Sequence, residues 1–377
     1  MKLLLQRNEK LKITLIISSL SAGGAERVMS SMANYWVGRA WSVTIITLAD
    51  SADDFYFLEP DVKRVALNCL SPTTNIIDAG LGNLRRLYLL RTAISKSSPN
   101  VVVSFVDKTN VLTVMALAGL KVPVIISERI DPRMYPIGGV WSFLRKRLYS
   151  RASVLVVQHE KTLKWAELNW PMLESLVVRN PVVPPARTIV ANCLSPDFNW
   201  CIAMGRLSDQ KGFDVLINAF SDIANKDVRG NWRLVILGEG EERSSLESLV
   251  ERLGLKERVL MPGLVKTPAD YLSQADLFVM TSRYEGFPNA LLEAMACGLP
   301  ALSVDCDTGP RSIIRNEVDG LLVPQDDRAS LVSSMKILMN DEDLREQYGA
   351  RAKEVCERFS FTRFSQAWDD LVLGLCE

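Results

Sequence analysis

The stretch LFVMTSRYEGFPNALLEAMACGLP, residues 277–300, changes period part-way along. Leu277 to Met280 form a short apolar run closed by a polar turn, which reads as a buried strand. Gly286 lies in that turn, Pro288 suits the first turn of a helix, and Gly298 is a good helix stop. The helix between them is apolar at Ala290, Leu291, Leu292, Ala294 and Met295 and is interrupted by Glu293. A strand, a turn and a helix in that order are the repeating part of a parallel α/β sheet. The unsatisfied N–H groups of Asn289 and Ala290, with the positive end of the helix dipole, suit a phosphate. Glu285 precedes this helix and Glu293 follows eight residues later. A carboxylate at the apolar position of Glu293 is costly without a partner, and paired sugar hydroxyls would be one. A helix cap and an acid satisfied by backbone would be the purely structural alternative.

Outward from this unit, the same alternation continues in both directions. Strands are predicted over residues 12–18, 43–48, 101–105, 122–127 and 154–158, then over 200–204, 232–237, 259–261 and 301–304. Helices are predicted up to Arg39, over 84–96 and 141–149, and later over 213–224, 244–253, 328–339 and 341–359. Asn180-Pro181, Pro184-Pro185 and Ser195-Pro196 interrupt the pattern within one short window. Proline continues neither a helix nor a central strand, so this window reads as a linker. The expected organisation is a Rossmann-like domain over 1–180, a linker over 181–198 and a second Rossmann-like domain over 199–377, with the last helix free to pack back on the first. Two such halves leave a cleft, the usual place for a ligand.

Two further turns follow predicted strands. Gly205-Arg206-Leu207-Ser208-Asp209-Gln210-Lys211-Gly212 places Arg206 and Lys211 beyond a strand's C-terminal end, where open α/β sheets bind ligands. Two cations there could neutralise a diphosphate and stabilise it as a leaving group; two solvated loop charges are the bland alternative. Ser19-Leu20-Ser21-Ala22-Gly23-Gly24-Ala25-Glu26-Arg27 is a glycine turn that brings backbone close to a ligand. It is neither a dinucleotide fingerprint nor a phosphate-binding loop of the Gly-Lys-Ser/Thr type. Gly238-Glu239-Gly240 ends another strand.

Composition limits the alternatives. Apolar residues make up 48% and charged residues 23%, a globular mix that excludes large-scale disorder. The net charge is zero, yet residues 1–180 hold 23 basic against 14 acidic residues, and the remainder 21 against 30. A basic half suggests an anionic partner. The seven cysteines are odd in number and show no CxxC spacing, and His159 is the sole histidine, so neither a disulfide framework nor a metal site is expected. His159, in a polar loop, reads as structural. Residues 1–12 do not resemble a signal peptide and no apolar run reaches membrane-spanning length, so a cytoplasmic location is expected. Residues 141–151 interleave Trp141, Phe143 and Tyr149 with Arg145, Lys146, Arg147 and Arg151, and Arg85, Arg86 and Arg91 form a second basic stretch. Either could rest on anionic lipid from the cytoplasmic side, or simply be a solvated helix face. Nucleic acid is not an expected partner, since no module for it is present.

Taken together, these stretches resemble glycosyltransferase family 4. The resemblance covers nearly the whole chain: Gly-Gly-Ala-Glu-Arg-Val at 23–28, Gly-Arg-Leu with Gln-Lys-Gly at 205–212, Gly-Glu-Gly at 238–240, and the Glu-x7-Glu pair, Glu285 and Glu293. It implies the GT-B fold of two facing Rossmann-like domains, no bound metal or other cofactor, and a retaining transfer from a nucleotide diphosphate sugar. A UDP-sugar is the favoured donor and a GDP-sugar the other. By position, Arg206 and Lys211 would hold the donor diphosphate and, with Glu285, act in catalysis. Glu285 would contact the donor sugar beside Gly286, Glu293 the ribose, and Asn289 and Ala290 the phosphate. Gly23 and Gly24 would lie against the donor. The family often has a histidine where this chain reads Ser127-Glu128-Arg129-Ile130-Asp131, so Glu128, Arg129 and Asp131 become candidates for sugar or acceptor contacts. A donor phosphate oxygen would then take the acceptor proton. The expected acceptor is a lipid-linked saccharide or oligosaccharide in surface polysaccharide assembly. A nucleotide-sugar epimerase of the same shape and a catalytically silent sugar-nucleotide scaffold remain the competing readings.

Overall fold

Runs of β-branched and large apolar residues form the strands wherever both faces are covered. Val101–Phe105 is buried at all five positions and Lys12–Ile17 at all but its first. Such continuous apolar runs are what a parallel sheet with helices on both faces requires. A computed structural model of the chain describes residues 10–70, 76–184, 192–224 and 231–376. Most of the N-terminal stretch 1–12, and Pro185 with the middle of the expected linker, lie outside the described residues. The chain divides into two compact units, Met1–Asn180 with Thr362–Glu377, and Pro181–Phe361.

In the first unit the elements are β1 (Lys12–Ile17), α1 (Gly24–Gly38), β2 (Ser42–Thr47), β3 (Lys63–Ala66), α2 (Ile76–Ser97), β4 (Val101–Phe105), α3 (Asp107–Ala116), β5 (Val124–Ser127), α4 (Gly139–Leu148), β6 (Val154–Val157), α5 (Glu160–Asn169) and β7 (Glu174–Val177). The sheet order is β3-β2-β1-β4-β5-β6-β7, parallel throughout. The chain leaves β1 towards one edge and returns at β4 on the other side, so the loop after β1 opens at a switch point. Helices α2, α3 and α4 share one core on one face of this sheet, through Leu90 and Ile94, Val111 and Leu112, and Trp141 and Leu144.

The second unit contains β8 (Asn199–Met204), α6 (Phe213–Ala224), β9 (Trp232–Leu237), α7 (Arg243–Arg252), β10 (Val259–Gly263), α8 (Pro268–Leu272), β11 (Leu277–Met280), α9 (Asn289–Ala296), β12 (Ala301–Asp305), α10 (Pro310–Ile313), β13 (Gly320–Pro324), α11 (Arg328–Asn340), α12 (Glu342–Ala352) and α13 (Val355–Arg358). Its order is β10-β9-β8-β11-β12-β13, again parallel, with the switch point between β8 and β11. Alternation along β8 builds two cores. Cys201 and Ala203 face Leu216, Phe220 and Met335, whereas Trp200 and Ile202 face Leu291, Leu292 and Met295. The final helix, α14 (Phe361–Gly374), returns to the first unit. There Asp369 accepts from Trp36 Nε1 at 2.8 Å and Tyr35 Oη at 2.9 Å and pairs with Arg39, while Trp368 packs 5.8 Å from Phe105.

The strands that periodicity omits have a common cause. β3, β7 and β13 are edge strands of four or five residues carrying Lys63 and Arg64, Glu174, and Gly320 and Pro324. Edges are kept short and polar or proline-bearing, which erases the apolar signal. The single helix expected over 341–359 is two, α12 and α13. Pro288 caps α9 from outside rather than occupying its first turn.

Candidate donor site at the β8–β11 switch point

The loops after β8 and β11 leave adjacent parallel strands at their C-terminal ends, and side chains stitch them together. Lys211 closes a 3-10 turn, Asp209–Lys211, and its Nζ lies 2.6 Å from Glu285 Oε1. Ser282 Oγ donates to the same oxygen at 2.7 Å. Among the described residues Oε2 of Glu285 has no hydrogen-bond partner, so this nearly buried carboxylate keeps one acceptor for another group. Gln210 Nε2 donates to Tyr284 O at 2.9 Å, Arg283 N donates to Gln210 O at 2.8 Å, and Thr281 Oγ1 donates to Gly212 O at 2.8 Å. Arg283 clamps Asp214 through both Nη atoms, at 3.0 and 2.9 Å.

Glycines set how closely these loops approach. Gly212 has φ +61°, and a Cβ there would fall 2.2 Å from Thr281 O. At Gly205 a Cβ would meet the Lys211 stem at 3.2 Å, so the lysine lies directly over the end of β8. Arg206, next along, is exposed and forms no ion pair among the described residues. Gly238 (φ +141°) ends β9, and a Cβ on it would fall 1.9 Å from Gly205 O, which explains the glycine of the Gly-Glu-Gly turn.

The start of α9 joins this cluster. A Cβ on Gly309 would touch both Pro288 Cδ, at 2.8 Å, and Glu285 Cβ, at 3.2 Å, and Thr308 Oγ1 donates to Glu285 O. Asn289 and Ala290 are half-buried at the amino end of α9, beside Glu285 and Gly286. Glu293 is half-buried, not the fully enclosed acid expected from the apolar run, because it lies off the core face of α9. Arg206, Lys211, Glu285, Gly286, Asn289 and Ala290 therefore share one sheet edge. Ser282, Thr308 and Gln210 complete the cluster. The first and last stand inside stretches already singled out, and Thr308 could have been found from the Thr308-Gly309-Pro310 turn after the next strand.

In the first unit the corresponding edge holds the other expected residues. Gly23 caps α1, its N–H donates to Ser21 O at 2.7 Å, and a Cβ on it would fall 2.0 Å from Glu26 Oε2. Gly24 is exposed as the first residue of α1. Arg129 is buried with its guanidinium 4.1 Å from the Phe105 ring centroid, and Nη2 donates to Asn180 Oδ1 at 2.8 Å. Gln158 Nε2 donates to the same oxygen at 2.6 Å. Burial pulls the Arg129 pKa down to about 9, opposed by the negative charge of Glu26. The sequence reading gave Glu26 no role, yet it links the glycine turn to Arg129.

Glu128 and Asp131 both make contacts within the unit. Glu128 points inward: Tyr149 Oη donates to its Oε1 at 2.7 Å and Arg145 stands 3.7 Å away. Burial, and then the charge of Asp107, raises its pKa to about 7. Asp131 is buried and both its oxygens accept from Arg133, at 2.6 to 3.2 Å. His159 caps α5 by accepting from Lys161 N at 3.1 Å, and burial lowers its pKa.

Comparison with known proteins adds to this geometry. Residues 191–355 match the family model of glycosyl transferases group 1, and residues 23–181 match that of the glycosyl transferase 4-like domain. The chain belongs to glycosyltransferase family 4. It is 29% identical over 362 residues to the GalNAc-alpha-(1->4)-GalNAc-alpha-(1->3)-diNAcBac-PP-undecaprenol alpha-1,4-N-acetyl-D-galactosaminyltransferase of Campylobacter jejuni, covering 96% of this chain and 98% of that one. Among solved structures, sucrose-phosphate synthase from Thermosynechococcus elongatus superimposes with a TM-score of 0.82 at 18% identity, covering 97% of this chain and 99% of that one. Anabaena Alr3699/HepE, solved with UDP and glucose, gives 0.79 at 18% identity, covering 97% and 100%. The fold is GT-B and the protein is a glycosyltransferase, an enzyme of the class whose relatives build surface polysaccharides. Nothing in these comparisons favours the epimerase alternative.

Proposed function

We propose that this family 4 glycosyltransferase transfers a hexose or N-acetylhexosamine, with retention of configuration, from a nucleotide diphosphate sugar to a lipid-linked saccharide at the cytoplasmic face of a membrane. A UDP-sugar is the favoured donor, consistent with the UDP-bound Anabaena structure, and the polyprenyl-diphosphate acceptor of the Campylobacter relative supports the acceptor class. In this reading the Pro181–Phe361 unit binds the donor and the Met1–Asn180 unit serves the acceptor side.

The observation that carries the proposal is the 2.6 Å Lys211–Glu285 pair on two loops that flank the β8–β11 switch point. Glu285 fixes the ammonium while leaving it two further donors for diphosphate oxygens. Arg206 adds a second cation, and the N–H groups of Asn289 and Ala290 add amides at a helix start. As the bond between the anomeric carbon and the diphosphate oxygen breaks, negative charge grows on the leaving group. Cations and amides already in position stabilise it without rearrangement. The acceptor hydroxyl forms the new bond to that carbon on the same face and passes its proton to a departing phosphate oxygen. The products are the nucleoside diphosphate and the extended acceptor. Glu285 Oε2 is the acceptor offered to a sugar hydroxyl, Glu293 is assigned to the ribose, and Gly286 lets the loop approach the donor. From the first unit, Gly23 and Gly24 are assigned to the donor and Arg129 to sugar or acceptor contact, whereas Glu128 and Asp131 are assigned to supporting the loop.

Thermal-shift screening with UDP-, GDP- and ADP-sugars, followed by transfer to polyprenyl-diphosphate-linked saccharide and determination of the product anomer, tests this. Stabilisation by a UDP-sugar and an axial, retained linkage are expected, with kcat/KM of Lys211→Ala reduced about 100- to 1,000-fold. Inverted product, or unimpaired transfer by Lys211→Ala, would refute it.

A further inference from the structure

Two buried hydroxyls hold Glu285, one at each end of the residue. Ser282, in the same loop after β11 and 1% exposed, donates to its side chain at Oε1, 2.7 Å away. Thr308, 2% exposed, donates to its main-chain oxygen from the loop after β12, the neighbouring strand of the sheet. Gly309 follows with φ +99°, and a Cβ on it would press on Glu285 Cβ at 3.2 Å and on Pro288 Cδ at 2.8 Å. The β12 loop therefore packs directly on Glu285 and on the residue before α9.

The torsion that turns a carboxylate is soft and nearly two-fold, so a single donor leaves the two oxygens free to exchange. Here Lys211 Nζ and Ser282 Oγ, on different sides, both spend a donor on Oε1, at 2.6 and 2.7 Å. Among the described residues none is spent on Oε2. A cap serving only the fold would be expected to divide its donors between the oxygens, since each can accept. Donors concentrated on one oxygen fix the rotation of the group and keep the other for a ligand. Cys306 does not compete for that place. Its thiol is buried and donates to Thr308 O at 3.4 Å, and burial, then the charge of Glu285, pushes its pKa up to about 12.

We propose that Ser282 and Thr308 are positioning residues for sugar transfer, holding Glu285 by side chain and main chain so that Oε1 stays with Lys211 and Oε2 faces the donor sugar. The inference deepens the proposed function and rests on its assignment of Glu285 to the sugar. A group fixed in advance stabilises the transition state without rearranging at the moment of reaction. Both hydroxyls act through Glu285, so losing the Ser282 hydroxyl matters only while that carboxylate is present.

Steady-state turnover and UDP calorimetry on the full chain test it. Turnover is read as UDP released from UDP-glucose, UDP-galactose, UDP-N-acetylglucosamine or UDP-N-acetylgalactosamine with a polyprenyl-diphosphate-linked saccharide, using the donor that wild type consumes fastest. Ser282→Ala is expected to lower kcat/KM about ten- to 100-fold and Thr308→Val about tenfold. Thr308→Ser keeps the hydroxyl and should stay within about threefold of wild type. UDP has no sugar to be held, so its Kd should change less than about threefold in all three variants. In a Glu285→Ala background, adding Ser282→Ala should cost less than about threefold. Unimpaired turnover by Ser282→Ala, an equal loss with and without Glu285, or a loss of UDP binding as large as the loss of turnover would overturn the inference and leave the donor reading standing. Wild-type chain that releases no UDP, or unimpaired turnover by Glu285→Ala, would overturn the donor reading, and the inference would fall with it.

Discussion

Glu128 shows how far a residue's environment can depart from its sequence context. Beside Arg129 and Asp131 it reads as one of three polar residues in a ligand loop, but its carboxyl is turned inward against Tyr149 and raised to about 7. No spacing rule reveals which way a single side chain leaves the end of a strand. A raised acid favours the protonated folded state. Well below pH 4.5, both folded and unfolded chains hold the proton, and Glu128 imposes no penalty. As pH rises from there to about 7 the unfolded chain releases it and the folded one does not, so stability falls, by up to about 3 kcal/mol. Glu128→Gln keeps an acceptor for Tyr149 and removes the titration. Its unfolding free energy should fall less steeply than that of the wild type between pH 4.5 and 7, measured by urea unfolding at several pH values. Parallel pH profiles would show that Glu128 is not held protonated.

At the scale of elements, the strands and loops that carry the candidate site are largely legible in the sequence. Leu277–Met280 and Asn289–Ala296 appear where the period of residues 277–300 changes, and Arg206 and Lys211 fall in the loop after a readable strand. What periodicity lacks is lateral information. The adjacency of β8 and β11, separated by more than seventy residues, is a property of sheet order, and it brings Lys211 to Glu285. Gly212 is where the two loops meet. Alanine there would adopt a left-handed backbone and place Cβ against Thr281 O, so one loop must move. We expect Gly212→Ala to cost about 2–4 kcal/mol, lowering Tm by at least about 5 °C, and to weaken UDP binding with it. A Tm within a degree or two of wild type, with normal UDP affinity, would mean that this close approach is not needed.

Across the whole molecule, the charge division seen in the sequence takes physical form. The basic first half supplies the outward cations of α2 and α4, while the acidic second half places Arg206 and Lys211 beyond the C-terminal end of β8, next to the buried carboxylate of Glu285. The edge strands β3, β7 and β13 and the return of α14 to the first unit follow from strand order and helix packing, which a one-dimensional pattern does not record. The molecule's chemistry depends on whether the edge at β8 and β11 grips a diphosphate. Calorimetric titration of UDP against uridine measures this directly, since the two ligands differ only in the diphosphate. Arg206 has no ion-pair partner among the described residues, so Arg206→Ala alters charge without undoing a contact, and Lys211→Ala removes the second cation. Wild type should prefer UDP over uridine by at least about 100-fold, and each substitution should reduce that preference by about ten- to 100-fold. A preference for UDP that survives both substitutions unchanged would contradict the site.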